Sequence, residues 1–301
     1  MWEVFNQILS LFLIILVGFY GRKRSIIDDT LTNGLSRMLL EITTPLLIIS
    51  SFNYDVNSSL AKNTIKAFIY GILIFIITPF MVKPLLTKIE KGKRNILQFA
   101  IVFSNCGFMG IPITAAVLGE EAVIYASIFN MCFNLFIWTY GVTLFTDAAS
   151  FKEAKKLLKN PGIIAVFIGL LLTVFSVKLP IVLYNTISLV GHLTTPISMI
   201  IIGSLLASID FKAVIKDKTI YYGAFIKLII IPAVLYGISL LISDNSLVMR
   251  TYVLIQAMPA GATTSLFAER FNKEKEYSAF VVSFSTLLSI ITIPMIIALL
   301  L

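Results

Sequence analysis

The chain has 301 residues, of which 58% are hydrophobic and only 13% are charged, and its mean hydropathy is +0.94. Because roughly a quarter of the residues of an ordinary soluble domain are charged, this composition excludes a water-soluble enzyme and a disordered chain. One His and two Cys leave little for a zinc site or a disulfide framework. The composition therefore predicts an integral membrane protein with apolar residues for roughly ten membrane crossings.

Apolar runs separated by polar residues predict ten helices in chain order. The first five cover about 2–21, 31–52, 63–86, 96–118 and 122–145, and the second five cover about 161–177, 184–207, 218–242, 248–271 and 277–301. A polar connector at 146–160 separates the two sets. The predicted fold class is an all-α integral membrane protein with ten transmembrane helices.

The positive charges are distributed unevenly between the loops. In or beside the loops that follow helices 1, 3, 5, 7 and 9 lie 18 of the 24 Lys and Arg, and the other loops hold 4. The positive-inside rule then predicts that the first set is cytoplasmic and that both termini are extracellular in the cell membrane. The net charge of +8 is explained in this way, so we expect no nucleic-acid partner. Arg37 and Lys227 lie inside helices, and Lys227 is predicted to snorkel to the cytoplasmic surface.

The two sets of helices share a sequence register. A Thr-Thr-Pro motif ends at Pro45 in the second helix and at Pro196 in the seventh, and the offset of 151 also relates Asn105 to Gln256. Because five is an odd number of crossings, the two sets must have opposite orientations, which is the inverted-repeat plan of secondary transporters. The predicted organisation is a first repeat at 1–145, a cytoplasmic connector at 146–160 and a second repeat at 161–301.

Gly and Pro residues interrupt the fourth helix at 104–112 and the ninth helix at 256–264. A broken backbone is tolerated in a membrane only where it is buried in protein or lines a cavity. Paired breaks in two repeats are the pattern of a transporter substrate site, and the amino ends of the following half-helices favour an anion. A pair of simple proline kinks is the alternative. Catalytic motifs are absent from the sequence, so we expect neither an enzyme nor a metal site.

The segments 103–112 (FSNCGFMGIP) and 258–271 (MPAGATTSLFAERF) resemble the fourth- and ninth-helix signatures of the auxin efflux carrier family. This family includes plant PIN-type auxin carriers and bacterial permeases for malate, malonate and related acids. The resemblance covers essentially the whole chain, and the short connector is similar to that of the bacterial members. It implies two inverted repeats with crossed fourth and ninth helices, as in sodium/bile-acid symporters and sodium/proton antiporters. It also implies a scaffold of helices 1, 2, 6 and 7 and a transport unit of helices 3–5 and 8–10.

The same resemblance implies a substrate site at the crossing of the two broken helices. Asn130 and Asn134 lie one turn apart on the fifth helix, where their amides could bind a carboxylate or hold helices together. Thr263 and Thr264 could contact an ion or the substrate, or bond back to their own helix. The candidate substrate-binding residues are Asn105, Gly107, Pro112, Asn130, Asn134, Gln256, Pro259 and Gly261.

Glu41 and His192 are related by the same offset, and each precedes a proline by one turn. An ionisable side chain at this depth is costly, so both are candidates for proton coupling, together with Thr263 and Thr264 for an ion. Arg37 lies one turn before Glu41 and could instead neutralise it. We expect no cofactor beyond a coupling H⁺ or Na⁺.

The sequence thus predicts a secondary transporter of small organic anions, either dicarboxylates or auxin-like aromatic carboxylates, that works by elevator-type alternating access. Its expected partners are the anion, the lipid bilayer and a second copy of the chain bound through the scaffold helices. The alternatives are a receptor or sensor that binds a ligand without moving it and a sodium/bile-acid-type symporter. A sensor would need an output domain, and every loop is too short for one.

Overall fold

The computed structural model describes residues 2–52, 58–146, 161–175, 177–207 and 217–300. Within these ranges the ordered elements are helices and one isolated β-bridge. The α-helices are α1 (Trp2–Lys23), α2 (Asp29–Met38), α3 (Thr44–Ser51), α4 (Ser58–Leu85), α5 (Lys91–Val102), α6 (Ile111–Leu118), α7 (Glu120–Phe136), α8 (Pro161–Val174), α9 (Ile181–His192), α10 (Thr194–Ala207), α11 (Lys218–Phe225), α12 (Ile231–Leu241), α13 (Leu247–Gln256), α14 (Thr263–Arg270) and α15 (Lys275–Leu300). Short π-helical segments occupy Leu39–Thr43, Cys106–Gly110, Ile137–Gly141 and Ile226–Ile230.

Each predicted helical segment is mostly helical in the part of the chain that the structure describes. The predicted fourth segment is divided into α5 and α6, and the predicted ninth into α13 and α14, as their Gly and Pro residues indicate. The predicted second, seventh and eighth segments are also divided, by a π-helical segment or a single-residue irregularity. Of the predicted connector at 146–160, all but Thr146 lies outside the described residues.

Three of the π-helical segments have a common cause in the sequence. Pro45, Pro112 and Pro232 are each the second residue of the α-helix that follows such a segment. Proline has no N–H group, and its ring crowds the carbonyl one turn earlier, so the helix widens by one residue before it. A proline within an apolar helix therefore creates a local irregularity where polar side chains can be accommodated.

Four described helical stretches are long and apolar enough to cross a membrane: Leu60–Leu85, Ile181–Ala207, Lys218–Leu241 and Lys275–Leu300. Shorter apolar helical stretches cover Cys106–Leu118, Pro161–Val174 and Leu247–Gln256. Large apolar side chains on these helices are exposed, including Phe80 at 75% and Leu241 at 86%. A soluble monomer seldom exposes so much apolar surface, whereas lipid chains cover it without cost.

The chain divides into two compact units. The first consists of Met1–Phe68, Gly107–Met131 and Lys156–Ser208. In it, α1 packs directly against α10, and two glycines allow their backbones to touch. A Cβ atom built on Gly18 would lie 2.1 Å from the Ile200 carbonyl oxygen, and one on Gly203 would lie 1.9 Å from the Ile15 carbonyl oxygen. Only glycine fits at these contacts, which are of the small-residue type found between membrane helices.

The second unit consists of Ile69–Cys106, Cys132–Lys155 and Ile209–Leu301. Its described part packs α5 and α11 against α15, and α14 and α12 against their neighbours in the chain. Aromatic rings surround the end of α5, where Phe103 lies 4.7 Å from Phe99, 5.8 Å from Phe75 and 5.4 Å from Phe133 between ring centroids. This dense packing fixes the backbone of the fourth-helix break, which belongs to this unit up to Cys106.

Candidate substrate site

The breaks of the fourth and ninth predicted helices are bonded to each other within the second unit. Ser104 and Ala260 form an antiparallel β-bridge. The backbone N–H of Asn105 donates to the Pro259 carbonyl oxygen at 2.8 Å, and that of Gly261 donates to the Phe103 carbonyl oxygen at 3.2 Å. Backbone groups released by the two breaks therefore satisfy each other, as a low-dielectric environment requires.

Gly261 allows the two chains to approach this closely. A Cβ atom on this residue would lie 2.9 Å from Thr263 Oγ1, 3.3 Å from the Phe103 carbonyl oxygen and 3.4 Å from the Ser104 carbonyl oxygen. A side chain here would force the crossing to open. Gly261 was predicted as a substrate-binding residue, and the structure places it where the two breaks meet.

Lys227 lies in the π-helical segment between α11 and α12 and contacts the residues of the two breaks. Only 1% of Lys227 is exposed. The prediction that it snorkels to the surface is wrong. Its Nζ donates to the Ile101 carbonyl oxygen at 3.0 Å, to Gln256 Oε1 at 3.2 Å and to Ser104 Oγ. Lysine snorkels only when its ammonium can reach water, and here three oxygens of the crossing take the place of water.

These contacts match the ammonium form of Lys227. Ser104 Oγ also donates to Gln256 Oε1 at 2.7 Å, so four hydrogen bonds connect the three side chains and the Ile101 carbonyl. Four bonds need four protons, of which the serine hydroxyl supplies one and an ammonium supplies three. A neutral amine would supply only two. From this hydrogen-bond pattern we infer a buried positive charge at the crossing.

The orientation of the Gln256 amide follows from the same bonds. Its Oε1 accepts from Lys227 and Ser104, so its Nε2 carries the two N–H donors. Gln256 is completely buried, and Nε2 has no hydrogen-bond partner among the described residues. The hydroxyls of Thr263 and Thr264, at the start of α14, are likewise buried without a described partner. The site therefore offers donors for which an oxygen-rich ligand is the natural acceptor.

The other predicted substrate-binding residues are distributed between the two units. Asn134 belongs to the second unit, and its side chain is half-buried in α7. Gly107, Pro112 and Asn130 belong to the first unit. There the Pro112 carbonyl accepts a 3.5 Å hydrogen bond from Thr195, a residue of the repeated Thr-Thr-Pro motif.

Glu41 forms an ion pair with Arg37 in the first unit. The Arg37 Nε to Glu41 Oε1 distance is 3.1 Å, and 52% of the Glu41 side chain is exposed. The structure thus has the neutralising contact that the i, i+4 spacing indicates. Glu41 lies in the π-helical segment that precedes Pro45.

His192 ends α9 in the first unit and contacts groups on both of its ring nitrogens. Its Nδ1–H donates to the Ser188 carbonyl oxygen at 2.7 Å, because a carbonyl can only accept. Its Nε2 lies 3.3 Å from Glu120 Oε1, a hydrogen-bond contact that needs a proton on the imidazole nitrogen or on the carboxyl group. The two ionisable residues at the 151-residue offset therefore have different partners, Arg37 for Glu41 and Glu120 for His192.

Three residues of the site were not predicted from the sequence: Lys227, Ser104 and Ser285. Ser285 of α15 accepts a hydrogen bond of 3.2 Å from the Ala260 N–H and so supports the crossing from a third helix. A signal for Lys227 did exist, because it lies nine residues into its predicted helix, at a depth of roughly 13 Å. A lysine side chain is too short to reach the surface from there. The two serines give no such signal, since serine is common in membrane helices.

An apolar helical protein with two bonded helix breaks and buried donors has the features of a membrane transporter. The family model described as "Membrane transport protein" matches residues 3–297. The chain therefore belongs to this family, that of the auxin efflux carriers, and it is a multi-pass membrane protein and not an enzyme.

Curated relatives with similar sequences are transporters by name. An uncharacterized transporter of Methanothermobacter thermautotrophicus is 24% identical over 96% of both chains. One of Methanocaldococcus jannaschii is 20% identical over the same shares. A protein of Rhizobium meliloti with a provisional malonate-transporter name is 22% identical over 65% of this chain and 63% of its own length.

Proposed function

We propose that this protein is a secondary transporter of small organic anions whose carboxylate binds at the crossing of the two broken helices. The observation behind this proposal is the completely buried Gln256 amide, whose Nε2 donors have no partner among the described residues. A carboxylate oxygen is the complementary acceptor, and the Lys227 charge close by favours an anion over a neutral ligand. The amino end of α14, which begins at Thr263, adds to the same preference.

We further propose ten transmembrane helices in two inverted five-helix repeats, moving by an elevator-type mechanism. The 151-residue offset supports the repeat, and the backbone bonds between the breaks support crossed helices. In the division of the chain, α1, α3 and α8–α10 fall into one compact unit and α11–α15 into the other. This grouping resembles the expected scaffold of helices 1, 2, 6 and 7 and the expected transport helices 8–10, but the expected transport helices 3–5 are divided between the two units.

The proposed substrate class is a dicarboxylate such as malonate or an aromatic monocarboxylate. The relative with a malonate-transporter name supports the first, and the auxin carriers of the family support the second. Extracellular termini and a homodimer formed through the scaffold helices belong to the same proposal.

The test is uptake by proteoliposomes of labelled malonate and of labelled indole-3-acetate, with imposed sodium, proton and voltage gradients in turn. Asn105→Ala and Gln256→Ala should abolish uptake, because each removes an amide at the crossing. Asn95→Ala and Gln98→Ala are matched controls on α5, since those amides already donate to the Leu144 carbonyl and to Tyr140. Uptake that survives both crossing variants would contradict the site, and saturable binding without uptake would identify a receptor instead.

Coupling to protons through Glu41 is a separate proposal. It predicts that a pH gradient drives uptake and that Glu41→Gln removes this dependence. Arg37→Gln is the informative comparison, because it removes the ion-pair partner of Glu41 and keeps the carboxylate. Equal uptake with and without a pH gradient would exclude the proton role and leave sodium or voltage as the driving gradient.

A further inference from the structure

Lys227 is a buried charge without an acidic partner. Among the residues that the structure describes, it is the only buried side chain with a formal charge, and the described ion pairs do not include it. Its ammonium is surrounded by uncharged oxygens: a carbonyl, a hydroxyl and a side-chain amide. The carbonyl belongs to Ile101, in the last turn of α5, where the partial negative end of the helix dipole favours a cation.

The three N–H donors of Lys227 are all used within this oxygen cage. A substrate carboxylate therefore has no free donor on Lys227 and binds instead to groups that Lys227 orients, above all Gln256 Nε2. Lys227 thus acts on a substrate in two ways. It fixes the amide with its donors outward, and it adds one positive charge to the site at close range.

We propose that Lys227 is a fixed countercharge that stays in the crossing, so that a bound monovalent carboxylate and the ammonium cross the membrane together with no net charge. This inference depends on the proposed function as an organic-anion transporter. The crossing then carries one positive charge when empty, none with a monovalent anion and one negative charge with a divalent anion. Lys227 thus supplies the positive charge that a co-transported cation would otherwise bring.

The voltage dependence of exchange measures the charge of the loaded site. In exchange, with saturating substrate on both sides, only the loaded protein moves across the membrane, whereas net uptake also requires the empty protein to return. A charge of one that crosses the whole field slows exchange about fourfold at roughly 100 mV, and a charge of two slows it about 25-fold. A site with no net charge gives the same exchange rate with and without voltage.

The experiment is tracer exchange in proteoliposomes with potassium and valinomycin, clamped at zero and at about 100 mV inside-negative. The probes are indole-3-acetate, which is a monovalent anion at about pH 7.5, and malonate, which is divalent there. We expect voltage to leave indole-3-acetate exchange unchanged and to slow malonate exchange about fourfold. Slowing of about fourfold for indole-3-acetate or about 25-fold for malonate would overturn the proposal, and this outcome requires no variant.

Lys227→Gln tests the residue itself. This variant can still donate to Ser104 and the Ile101 carbonyl, but it removes the charge, so indole-3-acetate exchange should become voltage-sensitive by about fourfold. Lys83→Gln is the control, because Lys83 is an exposed lysine at the end of α4 and should leave the voltage dependence unchanged. An unchanged profile in Lys227→Gln would also overturn the proposal. If the wild type exchanged neither probe, that result would instead contradict the proposed transport function.

Discussion

Gln256 shows how one side chain can be both structural and available to a ligand. Its oxygen completes the cage around Lys227, and its nitrogen remains without a described partner. A buried donor without an acceptor costs roughly 1–3 kcal/mol, and a ligand that supplies the acceptor recovers this free energy. In the proposed function, a bound carboxylate supplies the acceptor that this amide lacks.

Gln256→Glu separates these two functions. The carboxylate keeps oxygen acceptors for Lys227 and Ser104, but it removes the N–H donors and adds a negative charge that repels an anion. We expect uptake to fall by about tenfold to a hundredfold, because a hydrogen bond to a charged group contributes roughly 1.5–3 kcal/mol. The melting temperature in detergent should not decrease, because an ion pair replaces a neutral contact.

Gln256→Leu is the matched comparison for this variant. It leaves Lys227 short of an acceptor, so both uptake and the melting temperature should fall. If Gln256→Glu retained wild-type uptake, the amide donors would have no role in binding the substrate.

Lys227 also marks the limit of what the sequence could predict. The apolar run and its polar ends were sufficient to place this helix at 218–242, close to the observed Lys218–Leu241. The oxygens that bind its ammonium were not predictable, because Ile101 precedes Lys227 by 126 residues and belongs to another helix. Asn105 and Gln256 were predicted because their motifs repeat at one offset, whereas Ser104 and Ser285 carry no comparable pattern.

Proline accounts for much of the local structure of the helices. The breaks at the crossing followed from clustered Gly and Pro, but the widened turns before Pro45 and Pro232 did not, because one proline can kink, widen or end a helix. Glu41 and Lys227 both lie in such widened turns. Two of the four described π-helical segments thus contain a charged residue, and such segments are frequent at functional sites.

The contact between α1 and α10 leads to a prediction about glycine. Gly203→Ala should lower the melting temperature in detergent by several degrees, because its Cβ atom would lie 1.9 Å from the Ile15 carbonyl oxygen and the helices would have to separate. Gly34→Ala in α2 is the matched control, since a Cβ atom there meets nothing within 4 Å. That variant should be neutral or stabilising by about 0.5–1 kcal/mol, because alanine favours a helix. Equal melting temperatures for the two variants would show that the close contact contributes nothing to stability.

The amino end of α11 provides a prediction about pH. Asp217 caps this helix through the Thr219 N–H, and its Oδ2 lies 2.6 Å from Lys93 Nζ. Partial burial opposes ionisation of Asp217, but hydrogen bonds from Lys93 and Thr219 outweigh it and lower the pKa of the carboxyl. The hydrogen bond to Asp217 likewise raises the pKa of Lys93.

The ion pair therefore stabilises the folded protein between two limits. Its contribution is lost when the pH falls through the lowered pKa of Asp217, below its ordinary value of 3.8, and when it rises through the raised pKa of Lys93, above 10.5. Asp217→Asn keeps the cap and removes the charge, so it should melt about 1–2 °C below the wild type at neutral pH. This difference should shrink in detergent melting curves as the pH falls below 3.8 and through the lowered pKa of Asp217. A difference that is independent of pH would exclude the ion pair as its cause.

Most of the charged residues lie in the loops or near the ends of the predicted helices, and Lys227 is a buried exception. Backbone groups at the crossing pair with each other, and side chains there pair with Lys227 or remain available to a ligand. The charge distribution between the loops governs orientation, because lysine and arginine are retained on the cytoplasmic side during insertion.

Cysteine labelling of intact cells tests this orientation. Lys178 lies in a predicted extracellular loop and Arg250 lies beside one, so Lys178→Cys and Arg250→Cys should react with a membrane-impermeant maleimide. Lys91→Cys and Lys273→Cys should react only after the cells are opened. The two native cysteines give little background, since Cys106 is 2% exposed and Cys132 is 3% exposed. Labelling of Lys91→Cys and Lys273→Cys in intact cells would reverse the topology and place both termini in the cytoplasm. Labelling of one site from each set would contradict the alternation of loops, and with it the proposed ten-helix inverted repeat.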